Sequence, residues 1–225
     1  TMIVYRILCV VIGYLFGIFQ TGYIYGRLNN IDIREFGSGN AGTTNAMRVL
    51  GKKAGIITYV GDMLKALLAS LTVRAIFGLA LDCSTQDIFM LVLYTGVGVI
   101  LGHNYPFYMG FKGGKGIAAS SGVVISLFDL RLMLVALFVF AGVLLTSKYV
   151  SLASMCMMVT FFAQVVIMNQ FGVLKPLSGS VYSVEAYVVV FFMAALAVFK
   201  HRSNIERLIN GTERKIGAKK EGKAE

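Results

Sequence analysis

Long apolar runs alternate with short polar segments along the whole chain. Backbone inside a lipid bilayer must satisfy its own hydrogen bonds, and none of the runs shows the two-residue alternation typical of a membrane barrel. The pattern therefore predicts an all-α, polytopic integral membrane protein with about seven transmembrane helices. The predicted spans are residues 3–25, 53–79, 88–103, 116–128, 132–147, 151–170 and 184–200.

The fourth and fifth spans are shorter than the roughly 20 residues that a full crossing needs. They either tilt, lie partly behind neighbouring helices, or form a re-entrant hairpin, and in the last case five crossings remain with the same sidedness. Residues 1–212 are expected to form a single transmembrane domain. Residues 213–225 have almost nothing to bury, which predicts a disordered charged tail.

Composition supports the membrane assignment and decides what the charge means. Hydrophobic residues make up 57% of the 225 positions and charged residues 14%, which excludes a soluble domain. The net charge of +10 alone could indicate nucleic acid, but the cations lie mostly in short segments between apolar runs and near the C-terminus. That placement predicts contact with membrane lipid and no nucleic acid. By the positive-inside rule, the N-terminus lies outside and the C-terminus in the cytoplasm.

The same rule puts every motif-like segment on one face of the membrane. A shared cytoplasmic site therefore becomes possible. The segments concerned are 32–53, 102–116, 147–154 and 200–213.

The segment 102–116, GHNYPFYMGFKGGKG, contains five glycines and two lysines. Glycines let several N–H groups turn toward one point and lysines add positive charge, so the segment suits a phosphate. The P-loop pattern does not fit, because Gly116 stands where that motif needs Ser or Thr. A plain glycine-rich connection between two membrane helices is the alternative.

The segment that starts with Gly37 supplies hydroxyls, amides and then Arg48 on a helix predicted to be capped near Thr43 or Thr44. Hydroxyls, a helix N-terminus and a guanidinium together can bind an oxyanion, although an ordinary Gly/Ser/Thr/Asn turn gives the same pattern. In the second span, Asp62 and Lys65 share one helix face, as a structural ion pair or as part of the site.

Three further polar features have simple structural interpretations. Ser147 or Ser151 can cap the sixth span, and Gln164 and Asn169 within it are expected to form interhelical hydrogen bonds. The segment 200–213 is amphipathic and basic, as in helices that lie on anionic headgroups. His201 and Asn204 nevertheless share one face of it, which favours a binding role over charge alone.

Four segments carry a family resemblance. GSGNAGTTNAMRVLGKKAG, GHNYPFYMGFKGGKGIA, SKYVSLAS and KHRSNIERLINGTE, together with the Asp62/Lys65 pair, resemble the signature blocks of bacterial membrane glycerol-3-phosphate acyltransferases that use acyl phosphate. The resemblance implies a multi-pass protein of the cytoplasmic (inner) membrane that forms 1-acyl-glycerol 3-phosphate and inorganic phosphate. It implies no cofactor, metal, coenzyme A or carrier protein. The oligomeric state is not predicted, and a monomer is compatible with the pattern.

The resemblance also implies site residues. The implied catalytic residues are Ser38, Arg48, Lys115, His201 and Asn204. The implied substrate-binding residues are Asn40, Thr43, Asn45, His103, Lys112, Gly113, Gly114, Gly116, Ser151 and Glu213.

An acyl phosphate is already activated, so its transfer to a hydroxyl needs mainly positioning, charge stabilisation and a modest proton acceptor. The hypothesis is substrate-assisted catalysis, in which a donor phosphate oxygen accepts the proton and no acyl-enzyme forms. Its rival makes Ser38 a nucleophile with His201 as base. The alternative from another functional class is a membrane transporter of an anionic lipid precursor.

Overall fold

The computed structural model describes residues 2–217, which form helices and turns and contain no strand. Ten α-helices follow one another in this part of the chain, and the second-span helix continues as a π-helix over Arg74–Ala80. Short 3₁₀ turns cover Ile33–Glu35 and Phe107–Met109. The α-helices are α1 (Met2–Gly17), α2 (Thr21–Leu28), α3 (Thr43–Leu50), α4 (Lys52–Val73), α5 (Thr85–Asn104), α6 (Ile117–Ser126), α7 (Leu130–Ser147), α8 (Val150–Gln170), α9 (Ser183–Lys200) and α10 (Arg202–Ile209).

The prediction of an all-α, polytopic membrane protein is confirmed. Within residues 2–217, six helical segments are long and apolar enough to cross a bilayer, namely 2–28, 52–80, 85–109, 130–147, 150–170 and 183–200. Helix α6 has only 10 residues and is shorter than a span. The seventh crossing and the sidedness of the termini therefore stay predictions.

Helix α6 packs alongside α4. Tyr59 of α4 donates a hydrogen bond to Ser121 in the middle of α6 (3.1 Å), and Arg74 donates to the carbonyl oxygen of Ser126 at its end (2.8 Å). Helices α4 and α6 thus run side by side in the same direction.

Helices α1 and α5 run parallel and touch through glycines. A Cβ atom at Gly13 or Gly17 of α1 would lie less than 3.0 Å from backbone atoms of Thr95 or Val99 in α5. The reverse holds for Gly98 and Gly102 of α5, where a Cβ atom would meet the backbone of α1. This backbone-to-backbone packing, as small residues allow between membrane helices, is called the glycine seam below.

The first predicted span, residues 3–25, lies within the apolar segment 2–28 that can cross a bilayer, but the helix in it is not continuous. The helix breaks between Gly17 and Thr21, and the ammonium of Lys65 donates to the exposed carbonyl oxygens of Gly17 (3.0 Å) and Phe19. A broken helix is tolerated at membrane depth where side chains of neighbouring helices satisfy the freed backbone. Lys65 thus allows α2 to leave the axis of α1.

Polar side chains of the helices agree with the sequence-based predictions in one case and differ in another. Gln164 donates to the carbonyl oxygen of Arg131 (3.1 Å) and Asn169 to the hydroxyl of Tyr187 (2.7 Å), so the predicted interhelical hydrogen bonds are confirmed. Helix α3 starts at Thr43 as expected, but Gly42 is its N-cap and the predicted hydroxyl cap is wrong.

The predicted cap of the sixth span is also wrong. The N-cap of α8 is Tyr149, which makes no side-chain cap hydrogen bond. Ser151 donates instead to Glu213 (2.8 Å), and Ser147 accepts from the N–H of Tyr149 (3.1 Å) just before the helix begins. Ser147 therefore ends α7, and Ser151, in the first turn of α8, bonds a side chain outside the helix and does not cap it.

The end of the bundle that holds Arg6 carries its own polar network. Arg6 of α1 pairs with Glu185 of α9 (2.7 Å), and Tyr94 of α5 donates to the same carboxylate (2.8 Å). This Arg6–Glu185 pair joins three helices at the end opposite to the motif segments.

Candidate functional site

The glycine-rich loop and the last helix meet through a chain of side chains. The ammonium of Lys115, just before α6, donates to the amide oxygen of Asn204 in α10. The amide nitrogen of Asn204 donates in turn to Glu213 (2.7 Å), which also accepts from Ser151. Four residues from three of the motif segments are thereby connected, and this set is called the Lys115–Glu213 chain below.

Glu213 is the hub of this chain. Arg207 donates to its second carboxylate oxygen (2.7 Å), so three side chains bond one partly buried carboxylate. Burial opposes ionisation, but the hydrogen bonds from Asn204, Ser151 and Arg207 outweigh it and lower the pKa of Glu213. Glu213 therefore lies in the site as a fixed anion among cations. The backbone N–H of Ile216 donates to the carbonyl oxygen of Lys148 (2.8 Å). The rest of the predicted tail, 218–225, lies outside the described residues.

Lys115 is a partly desolvated cation. Burial lowers its pKa to about 8, with Glu213 opposing the shift and the positive charges of Arg207, Lys200 and Arg48 adding to it. Among residues 2–217, no carboxylate forms a salt bridge with Lys115, and the three positive charges lie near it, so Lys115 is poised to bind an added anion.

His201 lies buried at the junction of α9 and α10. Its Nδ1 lies 2.7 Å from the carbonyl oxygen of Ala197, which can only accept, so Nδ1 carries the proton and Nε2 the lone pair. Burial, and after it the charge of Lys115, lowers the pKa of His201 to about 4. The imidazole is therefore neutral at physiological pH.

The loop of the first motif is fixed by amide side chains. The buried Asn45 donates to the carbonyl oxygens of Ile33 (2.8 Å) and Phe36 (3.1 Å), and its own oxygen accepts from the N–H of Ser38 (2.8 Å). Asn40 accepts from the N–H of Gly42 (2.9 Å). These amides shape the loop that presents Ser38, whose side chain is exposed and makes no hydrogen bond within residues 2–217.

Arg48 lies one helical turn beyond Asn45 on α3 and is half-buried. Burial lowers its pKa, and the charges of Arg214 and Arg207 act in the same direction while Glu213 opposes them. Its charge is also felt by Lys115. Helix α3 therefore brings the first motif to the same end of the bundle as the Lys115–Glu213 chain.

The hydroxyl oxygen of Thr43 is buried without a hydrogen-bond partner in the described chain.

The glycines of the loop act differently from the sequence-based expectation. The N–H groups of Gly113 and Gly114 bond to the carbonyl oxygens of Asn104 (3.2 Å) and His103 (3.1 Å), where they close the end of α5. They are thus not directed at a phosphate. Gly116 has a φ of +82° and is the N-cap of α6, and the first turn of α6 has no side-chain cap.

Two predicted binding residues lie apart from this group. His103 is only 2% exposed, and its ring packs beneath Gly114 and against Lys65. Lys112 is exposed on the outer side of the loop. The structure thus joins Lys115, Asn204, Ser151 and Glu213 directly and surrounds them with Arg48 and His201.

Arg207 belongs to the site but is not among the residues predicted from the sequence. A basic residue in an amphipathic, membrane-proximal helix is typical of headgroup contact, so its type carries no signal. Its position did carry one, because it lies three residues after Asn204 and hence on the same helix face.

The chain is similar to known proteins over most of its length. A family model described as glycerol-3-phosphate acyltransferase matches residues 7–211. A protein named glycerol-3-phosphate acyltransferase from a Thermoanaerobacter species is 40% identical over 220 residues, covering 96% of this chain and 98% of that protein. One of the same name from Clostridioides difficile is 38% identical, covering 96% and 97%.

Two solved structures have the same fold. They are crystal structures of PlsY (YgiH), an integral membrane glycerol 3-phosphate acyltransferase, in the glycerol 3-phosphate form and in the lysophosphatidic acid form. Both are 33% identical to this chain and cover 94% of it, with TM-scores of 0.77 and 0.75 and coverage of 96% and 95% of the solved chains. The resemblance noted in the four sequence segments thus extends over nearly the whole chain and its fold. The chain belongs to the glycerol-3-phosphate acyltransferase family.

Proposed function

We propose that this acyltransferase moves a fatty acyl group from acyl phosphate to the 1-hydroxyl of glycerol 3-phosphate, releasing inorganic phosphate. The observation that carries the proposal is the Lys115–Glu213 chain. It brings a partly desolvated lysine, a neutral histidine and two arginines to one end of the bundle. Two substrates that each carry a phosphate need such a cluster of cations. Neither metal nor coenzyme A has a part in the proposal.

The chemistry needs no covalent intermediate. The hydroxyl oxygen of glycerol 3-phosphate attacks the acyl carbon, and the bond from that carbon to the phosphate oxygen breaks. The hydroxyl proton passes to a phosphate oxygen of the donor, which leaves as inorganic phosphate. Positioning and charge stabilisation supply most of the acceleration, because the mixed anhydride is already activated.

The proposed roles follow from where the side chains lie. Lys115 and the glycine-rich loop that holds it bind the phosphate of glycerol 3-phosphate, and Asn204 orients Lys115. Arg48 binds phosphate charge, and Ser38 donates its free hydroxyl to a phosphate oxygen of the acyl donor. His201 presents the lone pair of Nε2 as an acceptor toward the glycerol part. Thr43, Lys112, Gly116, Ser151 and Glu213 remain proposed substrate-binding residues. Asn40, Asn45, Gly113 and Gly114 act instead by shaping the two loops.

We place the site at the cytoplasmic face of a bacterial inner membrane. The cations of the four motif segments support this sidedness through the positive-inside rule. The segments also share the end of the bundle opposite to the Arg6–Glu185 pair. Glycerol 3-phosphate is a soluble anion, so an open cytoplasmic end suits it.

Phosphate release tests the proposal. Detergent-purified protein is incubated with acyl phosphate and glycerol 3-phosphate, and phosphate and acylated product are measured together. We expect one phosphate for each lysophosphatidic acid formed, with release dependent on glycerol 3-phosphate. Equal activity with acyl-coenzyme A in place of acyl phosphate, or flux of intact substrate into liposomes without product, would contradict it. Family membership already favours an enzyme over the transporter alternative.

A further inference from the structure

Three ionisable side chains lie buried below the proposed site and take no part in its chemistry. Asp62, Lys65 and His103 are exposed by 1%, 4% and 2%. Charged groups at membrane depth are costly and persist where they are paired and have a use. The three side chains contact one another, and they are called the buried cluster below.

Lys65 is the centre of the buried cluster. Its ammonium lies 3.0 Å from a carboxylate oxygen of Asp62 and 2.8 Å from Nδ1 of His103. The ammonium can only donate, so Nδ1 accepts and the proton of the neutral ring lies on Nε2. The same ammonium also reaches the backbone of the first-span break, at Gly17 (3.0 Å) and Phe19.

One branch of the buried cluster leads to the glycine-rich loop. The ring of His103 lies against Gly114, where a Cβ atom would overlap Nε2. The N–H of Gly114 bonds the carbonyl oxygen of His103 (3.1 Å), to which Gln20 also donates (3.0 Å). Gly114 directly precedes Lys115. The position of the His103 ring therefore determines how far from α5 the loop, and with it Lys115, lies.

The other branch leads to the first motif. Lys65 satisfies the backbone at the break, and Thr21, the first residue of α2, donates to Asp62 (3.1 Å). Helix α2 packs through Gly22 and Gly26 on the segment around Ile33 and Ala41, which holds the Ser38 loop. A change at Lys65 therefore reaches Ser38 through α2.

We propose that Asp62, Lys65 and His103 are positioning residues for the acyltransferase site. They fix the positions of its two walls, which are the glycine-rich loop with Lys115 and the loop with Ser38, relative to each other. Lys65 supports both walls, whereas His103 supports only the wall that carries Lys115. This division rests on the proposed function, in which the glycine-rich loop binds glycerol 3-phosphate and the Ser38 loop binds the acyl donor. It replaces direct substrate contact as the role of His103.

The division gives a pattern that a purely structural cluster would not give. His103→Leu should weaken binding of glycerol 3-phosphate by about tenfold or more and leave the KM for acyl phosphate within about twofold. His103→Asn keeps an acceptor at the position of Nδ1 and should stay within about threefold of the wild type in both. Lys65→Met combined with Asp62→Asn removes both charges together and should weaken both substrates.

Binding of glycerol 3-phosphate is measured by calorimetry on the detergent-purified protein without donor, so this readout survives even if acyl phosphate is not the donor. The melting temperature of each variant is compared with that of Arg6→Met, which breaks the Arg6–Glu185 pair at the far end. We expect Arg6→Met to lower the melting temperature and leave both substrates unaffected.

Two outcomes would overturn the proposal. One is wild-type affinity for both substrates in the double variant Asp62→Asn/Lys65→Met. This variant also tests the proposal if His103→Leu does not fold. The other is an equal loss for both substrates in His103→Leu and Arg6→Met, because the effect would then follow stability alone. Failure of the wild type to release phosphate from acyl phosphate would concern the proposed function and not the buried cluster.

Discussion

The ammonium of Lys115 donates a hydrogen bond to the amide oxygen of Asn204, although 89 positions separate them in the chain. The contact joins the glycine-rich loop to the last helix, and the amide nitrogen of Asn204 donates a second hydrogen bond to Glu213. Asn204 holds both partners through the two ends of one amide group. A substrate phosphate that binds Lys115 therefore enters an arrangement that is already set.

Removal of the Lys115 charge should weaken glycerol 3-phosphate more than the donor. For Lys115→Met we expect a rise of about 10- to 100-fold in the KM for glycerol 3-phosphate, since a charge-assisted hydrogen bond contributes about 1.5–3 kcal/mol. Steady-state kinetics at saturating acyl phosphate measures it. Lys53→Met, an exposed lysine in the first turn of α4, is the matched control and should behave as the wild type. An unchanged KM in Lys115→Met would move glycerol 3-phosphate elsewhere.

The same lysine predicts an alkaline limit. Its pKa of about 8 means that the ammonium, which binds the phosphate, is lost as the pH rises through that value. The ratio kcat/KM for glycerol 3-phosphate should therefore fall above about pH 8, by up to about tenfold per pH unit. Lys115→Arg stays charged and should shift this limit upward. A limit that persists at the same pH in Lys115→Arg would have another origin.

Substrate assistance predicts that no acyl-enzyme accumulates. Ser38→Ala should lower kcat by about 10²-fold or more through loss of a hydroxyl donor to phosphate. Intact-protein mass spectrometry after rapid quench of the wild type with acyl phosphate, with and without glycerol 3-phosphate, should show no mass increase of one acyl group. An acyl group trapped on Ser38 would establish the rival mechanism, with His201 as its base.

Loss of the Glu213 carboxylate should destabilise the protein as well as inactivate it. Glu213→Ala leaves Asn204, Ser151 and Arg207 without their shared acceptor. We expect the melting temperature in detergent to fall by about 5 °C or more. The lowered pKa implies that this stabilisation is complete above about pH 4.5 and is lost as the pH falls and the carboxylate is protonated. Glu206→Ala, which removes an exposed carboxylate of α10, should change neither quantity.

Gly114 should tolerate no side chain, because a Cβ atom there would overlap the ring of His103. We expect Gly114→Ala to push the loop away and raise the KM for glycerol 3-phosphate by about tenfold or more. Gly142→Ala is the matched control, since no atom lies within 4 Å of a Cβ at that position of α7. That change should leave kinetics unaltered and stabilise the helix by up to about 1 kcal/mol. Equal kinetics in both variants would contradict the close packing.

The apolar pattern predicts most of the fold but not the break inside the first span. Residues 53–79 and 184–200 were predicted within a few residues of α4 with its π-helical extension and of α9. The break near Phe19 lies beside Gln20 and Thr21, but two polar residues in a mostly apolar run do not by themselves predict the end of a helix. What permits the break is Lys65, about 45 residues away in sequence. A local pattern does not contain such a contact.

For the site, residue types indicated the chemistry but not the division of labour. Glycines at 113 and 114 suggested N–H groups aimed at phosphate, yet these groups close α5 and give His103 room. His103 itself matched a family block and lies buried. In both cases the sequence gives the same signal for a ligand contact and for tight packing, and only the packing partners distinguish them.

The glycine seam has a mechanical consequence. Because α1 and α5 touch through backbone atoms, there are no rotamers at the contact that could rearrange and let one helix slide on the other. The two helices are therefore expected to move as one unit, with His103 near the end of α5. Helix displacements that admit a lipid substrate are expected to involve the other helices and not a sliding of α1 on α5.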